Sequence, residues 1–87
     1  MIDLQDARIR SARFDEAAGV VTIDVTLPDE KPLSVVFEGV RPSPHIAPML
    51  KLGGTILGWD PSTGPGNTHL YLLDGVITLR ADRVVLK

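Results

Sequence analysis

Two histidines, eleven carboxylates, nine lysines and arginines and no cysteine set the chemistry open to this 87-residue chain. Metal binding needs convergent ligands at fixed spacing. His45 and His69 stand far apart, one in a proline-rich stretch and one opening an alternating segment. A site would have to join both with Asp60 or Asp74, and no ligand motif does so. The lack of cysteine excludes disulfides, thiolate metal sites and cysteine nucleophiles. Serine hydrolysis needs a hydroxyl held by a histidine and an acid. Neither Ser43 nor Ser62 lies in a Gly-x-Ser-x-Gly elbow. Ser43 reads instead as a helix cap before Pro44, and Ser62 as a turn residue after Pro61. Gly64-Pro65-Gly66-Asn67 lacks the Lys-Ser/Thr and following helix of a phosphate loop, so it reads as a flexible connection. Gly53-Gly54 reads the same way, and no carboxylate pair stands out. The expectation is a non-enzyme with no catalytic residue, metal or cofactor.

Binding chemistry is better represented. Trp59, His69, Tyr71 and Arg80 are the candidate binding residues, because aromatics beside arginine make typical interface anchors. For Trp59 the competing reading is a cover over the core edge. Five arginines, Arg8, Arg10, Arg13, Arg80 and Arg83, form the basic concentration. Asp6, Asp15, Glu16 and Asp82 are interleaved with them, so cross-strand ion pairing on a solvated face is the simpler reading. The net charge of −2 and only four aromatics argue against nucleic acid.

These candidates depend on the segment His69 to Arg80. Asp74-Gly75 is a strong hairpin signal, since a type I′ turn needs positive φ at both central residues. With those two as the turn, Leu73 pairs with Val76, Leu72 with Ile77, Tyr71 with Thr78 and Leu70 with Leu79. Leu70, Leu72, Ile77 and Leu79 then face the core, while His69, Tyr71, Thr78 and Arg80 face outward.

The remaining pattern is also strand-like. Ala7 to Phe14 is a strand whose parity changes, which calls for a bulge near Ser11 or burial between layers. Gly19 suits a left-handed turn. Val20 to Leu27 alternates cleanly, and Pro28 to Pro32 turns the chain. Leu33 to Val40 follows, with Val36 and Val40 on the outer parity, so that face is covered or at an interface. Pro42, Pro44 and Pro48 limit Arg41 to Gly54 to a loop with one short helix. Its Ile46, Met49, Leu50 and Leu52 should plug an open end of the sheet. Thr55 to Asp60 is a fourth strand, and Asp82 to Lys87 is a seventh strand or a bent continuation of the sixth.

Residues 1–87 therefore read as a single all-β domain with at most one short helix. The expected form is a compact antiparallel β-sandwich or partly open barrel of six or seven strands, built from meander hairpins. The apolar fraction of 44% is ample for a core. The amino terminus lacks a basic region followed by an apolar run, and no apolar stretch reaches the ~20 residues that span a bilayer. The expectation is a complete, soluble, cytoplasmic gene product that does not engage a membrane.

The order Asp6-Ala7-Arg8-Ile9, Val21-Thr22-Ile23-Asp24-Val25, Phe37-Glu38-Gly39-Val40 and Ile77-x-Leu79-x-Ala81 resembles a loose group of small bacterial all-β domains that includes toxin-immunity-type proteins. The resemblance implies binding without catalysis and brings no catalytic residues. The expected function is a non-enzymatic protein-binding module, of immunity or inhibitor type by this resemblance, that presents a sheet face and loops to a protein partner. Two alternatives belong to other classes. One is a small-molecule-binding barrel using Trp59, Met49 and Leu50 around a cavity. The other is a structural homodimer pairing the edge Val84-Val85-Leu86.

Overall fold

The computed structural model of the protein describes residues 3–87; Met1 and Ile2, where the segment read as lacking a leader begins, lie outside the described residues. Seven strands and one four-residue helix follow in the order β1 (Arg8–Asp15), β2 (Val20–Thr26), β3 (Pro32–Glu38), α1 (Ile46–Met49), β4 (Gly54–Asp60), β5 (Gly66–Leu72), β6 (Gly75–Ala81) and β7 (Arg83–Leu86). They form one antiparallel sheet of order β6-β5-β4-β1-β2-β3-β7. The sheet is not closed into a barrel. Its two edge strands nevertheless follow each other with only Asp82 between them, so the sheet must coil until β6 approaches β3. The last segment is thus a separate seventh strand, paired with β3 at the opposite end of the sheet from β6.

Alternation produces the core. Val21, Ile23 and Val25 of β2 are fully buried and lie opposite Phe37, Val35 and Leu33 of β3. The parity change in β1 is a bulge between Ile9 and Ser11, which leaves Arg10 as the extra residue. Beyond it Ala12 and Phe14 oppose Ile23 and Val21, on the core side. Val36 and Val40 are buried despite their parity; Val36 sits between Thr22 and Val85. Leu4, ahead of the first strand, is also fully buried. It is fixed there by hydrogen bonds from Ala7 N to Leu4 O and from Asp6 N to Ile56 O.

Two local expectations are corrected. The β5–β6 hairpin pairs Leu72 with Gly75, Tyr71 with Val76, Leu70 with Ile77, His69 with Thr78 and Thr68 with Leu79. The turn is Leu73-Asp74, Asp74 has no positive φ, and the glycine becomes the first residue of β6. There it packs so closely on Leu52 that an added Cβ would come within 3.3 Å of Cδ1. A two-residue slip preserves parity, so Leu70, Leu72, Ile77 and Leu79 are still the core face. The second correction concerns Ser43. The helix starts at Ile46 with His45 as its uncapped first boundary, and Ser43 Oγ instead accepts from His45 N at 3.3 Å. Ile46 is buried, and Met49, Leu50 and Leu52 pack on the core beneath the loop.

The arginines do not form one stripe, because β2 and β3 separate β1 from β7. Arg8 pairs with Glu30, Arg13 with Asp24 and Arg83 with Glu38. Asp24 is the centre of this polar face. It accepts from Ser34 Oγ at 2.6 Å, Arg13 Nη1 at 2.6 Å and Ser11 Oγ at 2.8 Å. Those donors, Ser34 first, lower its pKa from 3.8 to about 2.

Candidate functional site

The outer side of β4, β5 and β6 collects the exposed apolar surface. Among the described residues the exposed large hydrophobics are Leu57 (51%), Tyr71 (41%), Leu73 (86%) and Val76 (44%). Tyr71 and Val76 are direct cross-strand partners, and Leu73 sits in the turn beside them. Leu57 stands at a second bulge. The β4–β5 register shifts between Ile56 and Gly58, so Leu57 and Gly58 both stand opposite Tyr71. Ile56 meanwhile stays fully buried opposite Leu72. Next to core-facing Ile56, Leu57 takes the outer side by alternation, and the bulge shifts only the residues that follow it.

Polar groups continue the same face toward the far end of the hairpin. His69 stacks on Tyr71 with ring centroids 6.2 Å apart and planes inclined by 26°. Its Nδ1 lies 3.0 Å from Thr78 Oγ1, so one hydrogen bond and one aromatic contact fix the ring. Asn67 and Arg80 form the next outward pair. Beyond them a groove of about 530 Å³ opens between the Gly39–Met49 segment and β6. Buried Val40, Ile46 and Leu79 make its floor, and exposed Arg41, His45 and Arg80 make its rim.

Three of the four candidate residues therefore share a face. His69, Tyr71 and Arg80 lie outward on adjacent strands. Trp59 does not join them: it pairs with Leu70 and packs against the core, on the opposite side of the sheet. The bulge at Leu57 sets this parity for Trp59. Leu57, Leu73, Val76, Arg41 and His45 were not among the sequence candidates. The hairpin slip that puts Leu73 in the turn is invisible to a parity argument. Only the tertiary fold brings Arg41 to Arg80.

The chemistry this arrangement offers is recognition. Among the described residues no three histidine, aspartate or glutamate side chains converge as a metal would need. Among the described residues the His45 imidazole makes no hydrogen bond, and Ser62 Oγ donates to Gly64 O within its own loop. Comparison with protein-family models, curated proteins and solved structures finds no match. Among the described residues no helix is long and apolar enough to cross a membrane.

Proposed function

We propose that the protein is a non-enzymatic protein-binding module, of immunity or inhibitor type, that works in the cytoplasm and grips a partner protein with the outer face of β4–β6. One observation carries this reading: every large hydrophobic side chain exposed among the described residues lies at one end of that face. Scattered exposed apolar residues need no explanation, but a cluster rimmed by polar groups is the usual mark of an interaction surface. Tyr71 supplies a rigid amphipathic anchor, already oriented by His69, so little rotamer freedom is lost on binding. The cysteine-free composition suits a reducing compartment.

Affinity for the isolated partner tests the reading. Tyr71→Ala should weaken binding by about 2 kcal/mol, roughly thirtyfold, as truncation of a central aromatic anchor does. Leu73→Ser should also weaken it while leaving stability nearly unchanged. Full affinity in both variants contradicts the assignment.

A further inference from the structure

The groove beside the apolar patch carries charge that the fold does not use. Among the described residues Arg8, Arg13, Arg83 and Lys31 are each ion-paired to a carboxylate. Among the described residues Arg41 and Arg80, both on the groove rim, have no such partner; Arg10, Lys51 and Lys87 have none either, but lie outside the groove lining. Asp82 is the one carboxylate in the lining, and its side chain is turned against Gly39. A locally cationic groove on a chain of net charge −2 therefore adjoins the Tyr71–Val76 patch. Val76 and Arg80 are four residues apart on β6, about 13 Å along an extended strand. An extended segment laid along that strand would meet apolar surface first and the two guanidiniums four residues later.

Resting on the protein-binding reading above, we infer that the partner presents an extended segment with an apolar side chain followed, about four residues on, by carboxylates that seat between Arg41 and Arg80. Planar guanidiniums bind carboxylates through paired hydrogen bonds, which gives the contact direction as well as attraction. The groove floor of Val40, Ile46 and Leu79 takes the methylene stem of the acidic residue and excludes water around the ion pairs. A protein segment, rather than a small apolar acid, is favoured because the charged groove and the apolar patch form one continuous face.

The probe is a short labelled serine-threonine peptide with one leucine and, four residues further on, a glutamate pair. It is titrated into the isotopically labelled full-length protein, with amide shifts read by NMR. The expected result is saturable shifts at Tyr71, Val76, Thr78, Arg80 and Arg41. Replacing the glutamates by glutamine should cost at least tenfold in affinity, and so should the Arg41→Gln, Arg80→Gln double variant. Equal binding of the glutamine peptide overturns the inference, as does an absence of shifts in the groove. Octanoate producing the same groove shifts at equal or lower concentration also overturns it, in favour of a small apolar acid. The leucine separates this inference from the reading beneath it. A peptide that needs its leucine but not its glutamates overturns the groove assignment and leaves the apolar face standing. One that needs its glutamates but not its leucine does the reverse.

Discussion

At Asp24 three donors from two neighbouring strands converge on one carboxylate, and the ionised form gains from all of them. A pKa lowered from 3.8 to about 2 means that this stabilisation is fully present above the ordinary value. It is lost as the pH falls from about 4 through about 2. Asp24→Asn should therefore lower stability at pH 7 by on the order of 1 kcal/mol after solvent screening, and should flatten the acid limb of the pH–stability curve. Thermal melts from pH 7 to pH 2 check both effects; parallel curves for the two proteins would contradict them. Glu38 is held below its usual range by the hydrogen bond from Arg83, so Glu38→Gln should reduce the same acid sensitivity further. Neither change touches the β4–β6 face, so partner affinity should be unaffected. The sequence makes cross-strand ion pairing of the arginines legible but points to Asp6, Asp15, Glu16 and Asp82 as the acids, whereas the partners are Glu30, Asp24 and Glu38. The pairing of His69 with Thr78 was not readable, since it depends on a register that parity leaves open.

Elements were the most legible scale. Period-two alternation locates the strands, the parity change in β1 calls for a bulge or burial between layers, and three prolines limit the helix to one or two turns. Alternation fixes which face a residue takes but not which partner it meets. That is why the hairpin slip moved every pair and left the core face intact. The observed register makes a distinct expectation for adjacent leucines. Leu73→Ser in the turn should change stability by no more than about 0.5 kcal/mol, whereas Leu72→Ala in the core should cost about 2–4 kcal/mol. Chemical denaturation of the two variants decides it, and comparable losses would argue for Leu73 inside the strand. Gly39, at the junction where β3 leaves the sheet, is a second element-scale test. It has φ +75°, and the Asp82 side chain fills the space a Cβ would need. Gly39→Ala should cost about 1–3 kcal/mol through backbone strain and crowding. Adding Asp82→Ala should restore part of that loss, and a simple sum of the two single effects would show that the crowding is not shared.

The whole molecule shows how a short open sheet keeps an edge out of trouble. β6 packs on α1 and Leu52 from its core side, where an added Cβ on Gly75 would point. The β7 edge is only four residues long and is flanked by Arg83 and Lys87. Its shortness and charge disfavour edge-to-edge pairing, and the protein should run as a 9.4 kDa monomer by light scattering. A doubled mass would favour the homodimer through Val84-Val85-Leu86 instead. The binding face, by contrast, is assembled from parts far apart in sequence: a bulge at Leu57, a turn at Leu73, and a proline loop that carries Arg41 to Arg80. Sequence reasoning reached the middle of that face, through His69, Tyr71 and Arg80. It missed the rim, because long-range placement follows from the coiling of the sheet and not from local periodicity. The most direct measurement is an amide-shift map of the labelled protein titrated with its isolated partner. The account requires the largest changes at Leu57, Tyr71, Leu73, Val76, Thr78 and Arg80. Changes confined to the Asp24 face of β1, β2 and β3, with the β4–β6 face silent, would contradict it.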